Sequence, residues 1–270
     1  DGDGKSDPTI FRPATATWWY SASSANGAHR ASQFGASGDK LVAADYDGDG
    51  KTDFATYRKG IWHIMNSATG SYRAEQFGMT TETSRDIPQT GDFDGDGKAD
   101  LAIYRPENGV WYMMNSRDGF SAVQFGLDGD KPVAADFDGD GKTDAAVYRS
   151  GTWHVLRSRD GYTSFQFGMG TGVDTPVAAD YDGDAKADAA VFRNDGVWHL
   201  LRSRDGYTSY AFGLNGDVPV PADYNGDGKT DLAVFRGGTW HLLSSGQGEA
   251  GQSYSSVNFG NGSDIAAPSR

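Results

Sequence analysis

The sequence predicts an all-β fold, a six-bladed β-propeller of four-stranded antiparallel blades whose ring is closed by the C-terminal strand. Three observations predict it. A segment of about 45 residues recurs six times, and this is the length of one four-stranded propeller blade. Each copy contains short runs rich in Val, Thr, Tyr, Phe and Trp between Gly and Asp-Gly turns. No segment keeps a helical periodicity over about ten residues.

The repeats align on an aspartate-rich loop, and successive third loop positions lie 46, 47, 44, 44 and 43 residues apart. An Arg, a Trp and an aromatic-Gly pair follow each loop in that order. Because the six copies fill residues 1–270, we expect a single propeller domain. A β-solenoid is the alternative architecture, but its repeats are usually shorter. The predicted loops span residues 1–7, 45–53, 92–100, 136–144, 180–188 and 223–231.

Repeat four shows the four predicted strands in order, at residues 132–137, 144–149, 152–158 and 162–167. Ser150-Gly151 forms the turn between the second and third strands, and residues 159–161 form the next turn. Repeat one begins at its loop and lacks a first strand. The C-terminal segment 264–268 matches residues 217–221, which form the first strand of repeat six. We therefore expect the C-terminal segment to complete blade 1 and close the ring, which removes exposed sheet edges.

A full loop reads Asp-x-Asp-x-Asp-Gly-x-x-Asp, with carboxylates at positions 1, 3, 5 and 9. Ca²⁺ takes six to eight oxygen ligands, and alternate residues of a tight loop can supply them, whereas Mg²⁺ prefers fewer carboxylates and keeps its waters. The loop is not an EF-hand, because position 12 is Thr, Ile or Val instead of Glu. A solvated acidic turn is the alternative, but it leaves the clustered like charges without a counter-ion. We predict about five or six bound Ca²⁺ ions.

The predicted ligands are the acidic side chains, one Asn side chain, and the backbone carbonyl of the Lys at position 7. They are Asp1, Asp3, Lys5, Asp7, Asp45, Asp47, Asp49, Lys51, Asp53, Asp92, Asp94, Asp96, Lys98, Asp100, Asp136, Asp138, Asp140, Lys142, Asp144, Asp180, Asp182, Asp184, Lys186, Asp188, Asp223, Asn225, Asp227, Lys229 and Asp231. Two loops depart from the pattern. Ala185 replaces the turn glycine in repeat five, and Arg270 aligns with the missing first position of repeat one, where a cation should weaken the site.

The composition argues against several classes of partner and site. The formal net charge is -13, which argues against nucleic acid and anionic membranes as partners. The loops hold 22 of the 37 acidic residues, so the acidity is local. The absence of cysteine excludes disulfides, zinc–thiolate sites and cysteine nucleophiles. No apolar run reaches the roughly 18 residues of a membrane span, and residues 1–4 do not resemble a signal peptide.

The loops and the Phe-Gly pairs resemble the FG-GAP/VCBS repeats of integrin α-chain propellers, fungal integrin-like propeller lectins and many secreted bacterial proteins. The resemblance covers the whole chain, but the integrin and fungal lectin propellers have seven blades. It implies calcium bound between the first two strands of a blade, an extracellular setting, and binding instead of catalysis. The pairs are Phe34-Gly35, Phe77-Gly78, Phe125-Gly126, Phe167-Gly168, Phe212-Gly213 and Phe259-Gly260.

A second candidate site lies at the start of the third strand, at the end of the blade away from the calcium loop. One interpretation is a sugar site between blades, with Trp stacked on the sugar ring and His or Arg bonded to its hydroxyls. The other is that each Trp packs between blades with its N–H bonded internally. The residues are Trp62, His63, Trp111, Tyr112, Trp153, His154, Trp198, His199, Trp240 and His241.

Two further residue sets have structural expectations. The repeated arginines should pair with carboxylates or carbonyls of the next blade more readily than with an acidic ligand. They are Arg12, Arg58, Arg105, Arg149, Arg193 and Arg236. His29 is the one histidine without a counterpart in the other repeats, and we expect a plain surface residue.

These patterns predict a non-enzymatic, calcium-binding, secreted propeller that binds glycans multivalently as a monomer. Catalysis needs a distinct acid, base or nucleophile in one place, whereas nearly every reactive residue here is repeated. The alternative is a propeller that binds a cell-surface protein, or a purely structural scaffold.

Overall fold

A computed structural model describes residues 1–81, 83–170, 172–246 and 253–267. These residues form 24 strands in six four-stranded antiparallel sheets, so the predicted six-bladed β-propeller is confirmed. Within these ranges no helix is long and apolar enough to cross a membrane. The only helical element described is the 3-10 turn Ser23–Ala25.

The strands follow the chain blade by blade. Blade 1 contains β1 (Thr9–Arg12), β2 (Thr17–Ala22) and β3 (Ala28–Gln33). Blade 2 contains β4 (Lys40–Leu41), β5 (Phe54–Arg58), β6 (Ile61–Met65) and β7 (Tyr72–Gln76). Blade 3 contains β8 (Ile87–Gly91), β9 (Asp100–Arg105), β10 (Val110–Asn115) and β11 (Gly119–Gln124). Blade 4 contains β12 (Lys131–Ala135), β13 (Asp144–Arg149), β14 (Thr152–Arg157) and β15 (Gly161–Gln166).

The remaining strands complete the set. Blade 5 contains β16 (Asp174–Pro176), β17 (Ala189–Arg193), β18 (Val197–Arg202) and β19 (Gly206–Ala211). Blade 6 contains β20 (Val218–Pro219), β21 (Leu232–Arg236), β22 (Thr239–Leu243) and β23 (Tyr254–Asn258). The last strand, β24 (Ile265–Ala266), belongs to blade 1.

Burial decreases from the second strand of a blade to its fourth, outer strand, in agreement with the residue types of each strand. In blade 4, the second strand β13 is buried on both faces, and its residues are mainly Ala, Val and Tyr. The outer strand β15 alternates half-buried and exposed residues, because only one of its faces is covered. The predicted strands of repeat four agree with these bounds within two residues at each end.

The first strands of blades 2, 5 and 6 have only two or three residues, fewer than the six-residue run of repeat four predicts. Pro176 and Pro219 end two of these strands, and proline cannot donate a ladder hydrogen bond. Pairing resumes nearer the loop, at isolated bridges such as Ala44↔Asp53. The short first strands and these bridges together therefore still position the backbone that leads into each acidic loop.

The chain divides into two compact units, one holding blades 2, 3 and 4 and the other holding blades 5, 6 and 1. In the first unit, Trp62 of blade 2 packs with Leu101 and Ile103 of blade 3. In the second, Trp198 of blade 5 packs with Leu232 and Val234 of blade 6. In each unit the core lies between the faces of adjacent sheets.

The C-terminal strand closes blade 1, as predicted. Ile10 pairs with Ala266 and Phe11 pairs with Ile265, and the sheet order is β24-β1-β2-β3. The Asp264 carboxylate accepts two hydrogen bonds of 2.8 Å from the Arg12 guanidinium. Pro268, the last residue of the predicted segment, lies outside the described residues.

Candidate metal centres and aromatic pairs

The loop of blade 4 is built around Asp136. One carboxylate oxygen accepts the Gly139 N–H at 2.7 Å, and the other accepts the Gly141 N–H at 2.8 Å. Gly141 has φ +84, a conformation that residues with a side chain rarely adopt. The first aspartate and the glycine therefore fix the turn that points the other carboxylates inward.

The β14–β15 hairpin lies against this loop and orients its carboxylates. Asp138 Oδ2 accepts the Arg159 N–H at 3.0 Å, and Asp144 Oδ1 accepts the Ser158 N–H at 2.6 Å. The Ser158 hydroxyl donates to Asp140 at 2.7 Å. The acidic loop and the hairpin between the third and fourth strands thus share one end of the blade, as the strand order predicts.

One oxygen in this site has no partner. Asp138 Oδ1 is buried and makes no hydrogen bond, and the same holds for Asp94 and Asp182 in blades 3 and 5. These three residues expose only 1–2% of their surface. A buried carboxylate oxygen without a partner is costly, and a bound cation removes that cost. The donor set consists of oxygens alone, which fits a hard divalent cation.

The carboxylates converge in four of the loops, within the described residues. In each group, one oxygen from each of three aspartates lies within 4.8 Å of the others. The groups are Asp45, Asp47 and Asp53; Asp92, Asp94 and Asp96; Asp136, Asp138 and Asp144; and Asp180, Asp182 and Asp188. Three of the four predicted acidic positions in each of these four loops are therefore close enough to share one ion.

Burial makes the ninth loop position costly to ionise. Burial, and to a smaller extent the neighbouring aspartates, raise the pKa of Asp100, Asp144 and Asp188 to about 6. Hydrogen bonds from backbone N–H groups act in the opposite direction but do not offset burial. A divalent cation in the loop would stabilise the charged form.

Loops 1 and 6 depart from the pattern. In loop 6, the Asn225 amide donates to Asp227 at 3.2 Å and to Asp231 at 3.4 Å, so a donor stands where the other loops have a carboxylate. In loop 1, the Ser23 hydroxyl still donates to Asp3 at 2.8 Å, as its counterpart does in blade 4. Arg270, which aligns with the missing position of loop 1, lies outside the described residues.

The position-7 lysines enter these loops through their backbone. The Lys142 N–H donates to Asp140 at 2.9 Å, and the same bond recurs in the other five loops. The predicted role of the lysine carbonyls as ligands stays a prediction.

The predicted Trp side chains are not accessible. Trp18, Trp62, Trp111, Trp153, Trp198 and Trp240 are all 0% exposed. Each indole N–H donates to the carbonyl of the Phe in the Phe-Gly pair that ends its repeat, at 2.7–3.1 Å. This corrects the expectation that a sugar stacks on these indoles, because they present no face to a ligand. The other interpretation, in which each Trp packs internally with its N–H bonded within the protein, describes these side chains.

The histidines pair instead with a tyrosine on the fourth strand. His154 Nδ1 lies 3.0 Å from the Tyr162 hydroxyl, and the two rings are stacked with centroids 6.3 Å apart. Tyr162 is 57% exposed and also contacts Phe125 of the preceding blade. The same pair recurs as His63 with Tyr72, His199 with Tyr207, and His241 with Tyr254. Sequence reasoning missed these tyrosines.

Blade 1 carries a variant of this pair. The β2–β3 register places Trp19 at the histidine position and His29 at the tyrosine position. His29 is exposed, as expected of a lone surface histidine, and the other blades carry Tyr or Phe at its position. Trp19, His29 and Arg12 line a cavity of about 190 Å³ with Phe259 of blade 6. The Trp19 indole nitrogen is buried and has no hydrogen-bond partner.

The repeated arginines pair within their own blade, not with the next one. Arg149 donates two hydrogen bonds of 2.6 Å to Asp130, which precedes the first strand of the same blade. Asp130 also accepts the Leu127 N–H at 2.8 Å. The same ion pair occurs in every blade, as Arg12 with Asp264, Arg58 with Asp39, Arg105 with Asp86, Arg193 with Asp174, and Arg236 with Asp217. These aspartates therefore have a structural role, since each anchors the second strand of its blade through the Arg at its end.

Comparison with protein families decides the classification. Residues 45–103, 92–147 and 136–191 match the FG-GAP-like repeat, and residues 215–255 match the FG-GAP repeat. The chain belongs to the FG-GAP repeat family. Among curated proteins, no sequence matches this FG-GAP chain.

Solved structures resemble this FG-GAP propeller at low identity. A lectin from Agrocybe aegerita that recognises non-reducing terminal N-acetylglucosamine has a TM-score of 0.61 and 16% identity, covering 99% of this chain and 77% of that one. AofleA from Arthrobotrys oligospora has a TM-score of 0.58 and 11% identity, covering 98% and 89%. Virginiamycin B lyase from Staphylococcus aureus has a TM-score of 0.53 and 12% identity, covering 90% and 83%. These similarities support the fold alone, since they include both a lectin and an enzyme.

Proposed function

We propose that this FG-GAP propeller is a secreted, non-enzymatic, calcium-binding protein that recognises carbohydrate through several equivalent sites. The unpartnered oxygens of Asp94, Asp138 and Asp182 support calcium binding most directly. A cation bound beside each of these oxygens would give it a positively charged partner, in a site that contains only oxygen ligands. The convergent aspartates in loops 2–5 supply the rest of each site. Calcium in these loops would neutralise the clustered carboxylates and tie the hairpin of each blade to its loop.

The exposed aromatic rings support carbohydrate binding. Tyr72, Phe120, Tyr162, Tyr207 and Tyr254 are 56–61% exposed at equivalent positions of five blades. In four of them the ring is held by a stacked histidine, so little side-chain entropy is lost when a ligand binds. A flat ring face beside a polar imidazole suits a sugar, which has one apolar face and hydroxyls at its edge.

The proposed sugar sites include part of the residue set predicted from the sequence. His63, Tyr112, His154, His199 and His241 remain as the polar groups. The Trp beside each one serves as a buried support. In blade 1, Trp19 and His29 stand at the equivalent positions and line a cavity of about 190 Å³.

Repetition favours a multivalent surface as the target. A weak site repeated on one rigid chain gains affinity through effective concentration when several sites engage one surface. Repetition also supports a binding role over an enzymatic one, because catalysis needs one asymmetric set of groups. Similarity to the N-acetylglucosamine-binding lectin is consistent with this role, but at 16% identity it does not identify the sugar.

A glycan array probed with the calcium-loaded protein tests the proposal. We expect binding to a restricted set of glycans, and loss of that binding when Tyr162, Tyr207 and Tyr254 are all replaced by Ala. The matched control replaces Leu127 and Leu214, which are 57% and 55% exposed, by Ala. This control should bind normally. Retained binding by the folded Tyr variant would move the site elsewhere, and binding to no glycan would favour a protein partner or a structural role.

A further inference from the structure

The acidic loops of adjacent blades contact one another through the backbone. In the unit of blades 2–4, the Thr143 N–H donates to the Asp92 carbonyl at 2.6 Å, and the Ala99 N–H donates to the Asp45 carbonyl at 2.7 Å. In the unit of blades 5, 6 and 1, the corresponding bonds join Thr230 to Asp180 at 2.7 Å and Ser6 to Asp223 at 2.6 Å. Each bond connects position 8 of one loop to position 1 of the loop before it.

A lysine stem makes a second contact at the same place. A Cβ added to Gly95 would lie 3.1 Å from Lys142 Cγ, so the aliphatic stem of Lys142 covers the turn of the preceding loop. Lys98 covers Gly48 in the same way, at 3.2 Å. The other unit repeats the contact with Lys229 on Gly183 at 3.1 Å and Lys5 on Gly226 at 3.0 Å.

These contacts join residues that serve two different metal centres. Residues 142–144 include two predicted ligands of loop 4, at positions 7 and 9. The same tripeptide lies on Asp92, the first ligand of loop 3, whose carboxylate is bonded to the N–H groups of its own turn. An ion that fixes Asp92 also fixes the carbonyl that holds Thr143, next to the ligand Asp144. Loop 4 is then partly ordered beforehand and loses less conformational entropy when it binds its own ion.

We propose that calcium binds with positive cooperativity within each row of three loops, loops 2–3–4 in one unit and loops 5–6–1 in the other. The proposal rests on calcium binding as the function of these loops. The position-8 N–H and the stem of the position-7 lysine act as positioning groups for the neighbouring centre. Coupling between sites of this kind typically changes affinity by about fivefold or more.

Calcium titration of the metal-free protein, followed by amide NMR, resolves single loops. The N–H groups of Gly50, Gly97 and Gly141 each donate to the first aspartate of their own loop, so each reports one loop. Replacing Asp94→Asn removes a ligand from loop 3 alone. We expect the apparent Kd of loops 2 and 4 to rise by about fivefold or more in this variant.

Asp118→Asn is the matched control. It removes the same charge from an exposed side chain of the adjacent hairpin, whose carboxylate pairs with Arg117, and it leaves the backbone bond from the Asp118 N–H to Asp94 in place. Loops 2 and 4 should keep their affinity in this control. If they also keep it in Asp94→Asn, the loops are independent and the coupling proposal is wrong, although calcium binding stands. If no glycine signal responds to calcium in the unaltered protein, the proposed function of the loops itself is wrong.

A second pair of variants tests the lysine stem without touching a carboxylate. Lys142→Met removes the charge but keeps a stem of similar length over Gly95, whereas Lys142→Ala removes both. We expect the response of loop 4 to stay coupled to that of loop 3 in the Met variant and to become more weakly coupled in the Ala variant, which keeps only the Thr143 bond to Asp92. Equal coupling in both variants would exclude the stem from the mechanism.

Discussion

At the scale of single residues, the third loop position explains the acidic pattern best. Asp138 uses one oxygen to hold the hairpin through the Arg159 N–H and leaves the other buried without a partner. A serine or asparagine could hold the hairpin equally well, so hydrogen bonding alone does not require a carboxylate there. The free oxygen is the part of the residue that a cation uses.

Replacing Asp138→Asn should therefore remove one bound ion. In calcium the variant should be less stable than the unaltered protein by about 2.7 kcal/mol when free calcium is 100-fold above Kd. In excess chelator it should be at least as stable, because a buried unpaired charge is gone. Calorimetry with ion counting measures both effects. Asp195→Asn, at an exposed residue outside the loops, should change neither; an unchanged ion count in Asp138→Asn would contradict the assignment.

The half-buried histidines give a pH prediction. Burial lowers the pKa of His154, and the Arg149 guanidinium lowers it further, while Asp130 has the opposite effect. Because the folded pKa lies below the unfolded value of about 6.5, the contribution of His154 to stability is present above that pH and is lost as the pH falls through it. His154→Gln keeps a polar partner for Tyr162 and should reduce the loss of stability between about pH 7.5 and 5. Melting curves in saturating calcium measure this, and an identical loss in both proteins would contradict it.

At the scale of the element, the loop depends on a left-handed residue at position 6. Gly141 has φ +84 and nothing within 4 Å of an added Cβ, whereas Ala185 adopts φ 65 at the equivalent position. Positive φ is strained for a residue with a Cβ, and Ala185, which replaces the turn glycine of repeat five, adopts it. The loop of blade 5 therefore keeps its hydrogen bonds at a cost in backbone strain.

Exchanging these residues should change stability in opposite directions. Ala185→Gly should stabilise the protein by about 0.5–1 kcal/mol, and Gly141→Ala should destabilise it by about 1 kcal/mol. No heavy atom lies within 4 Å of a Cβ added to Gly141, so steric crowding does not contribute there. Backbone strain therefore accounts for the expected difference in stability between the two variants. Denaturant unfolding in calcium measures the difference. A destabilised Ala185→Gly variant would contradict the strain argument.

At this scale, some contacts could be predicted from the sequence and others could not. The loops and strands were predictable because their signals are local: alternate aspartates, turn glycines and β-branched runs. The Arg–Asp pairs could also have been found from the sequence, since the two residues lie 19 positions apart in blades 2, 3, 4, 5 and 6. The His–Tyr pairs were not, because the hairpin between them varies and separates the residues by 8, 9 or 13 positions.

The burial of the indoles was equally hard to predict. Strand alternation places Trp153 and His154 on opposite faces of a blade, but it does not say which face the neighbouring sheet covers. Contacts between blades decide this, and they bury the Trp face. For this reason the sequence located the aromatic positions correctly but left two interpretations of Trp153 open.

At the scale of the whole molecule, the C-terminal strand is the contact of longest sequence separation. The Arg12–Asp264 pair joins residues 252 positions apart, and Asp264 is buried. Removing the strand would leave Arg12 without its carboxylate and expose the inner edge of β1.

Deleting residues 263–270 should destabilise the protein by an amount on the order of 3 kcal/mol, from lost strand hydrogen bonds and the lost ion pair. The exposed edge of β1 should also promote association, which size-exclusion chromatography measures. Ser263→Ala is the control, since it alters the same segment without removing the strand. A truncated chain that stays monomeric and melts at the same temperature would show that β24 contributes little to the fold.

The central claim is that calcium holds the loops of this propeller together, and thermal unfolding before and after metal removal tests it most directly. A site saturated at about 100-fold over its Kd adds about 2.7 kcal/mol, and 1 kcal/mol shifts the Tm of a chain of this size by about 2–4 °C. Several occupied loops should therefore raise the Tm by well over about ten degrees. We expect the Tm to fall by at least that much once ion analysis confirms complete removal, and to recover as about five or six calcium ions per chain return. An unchanged melting curve in the metal-free protein would contradict the account.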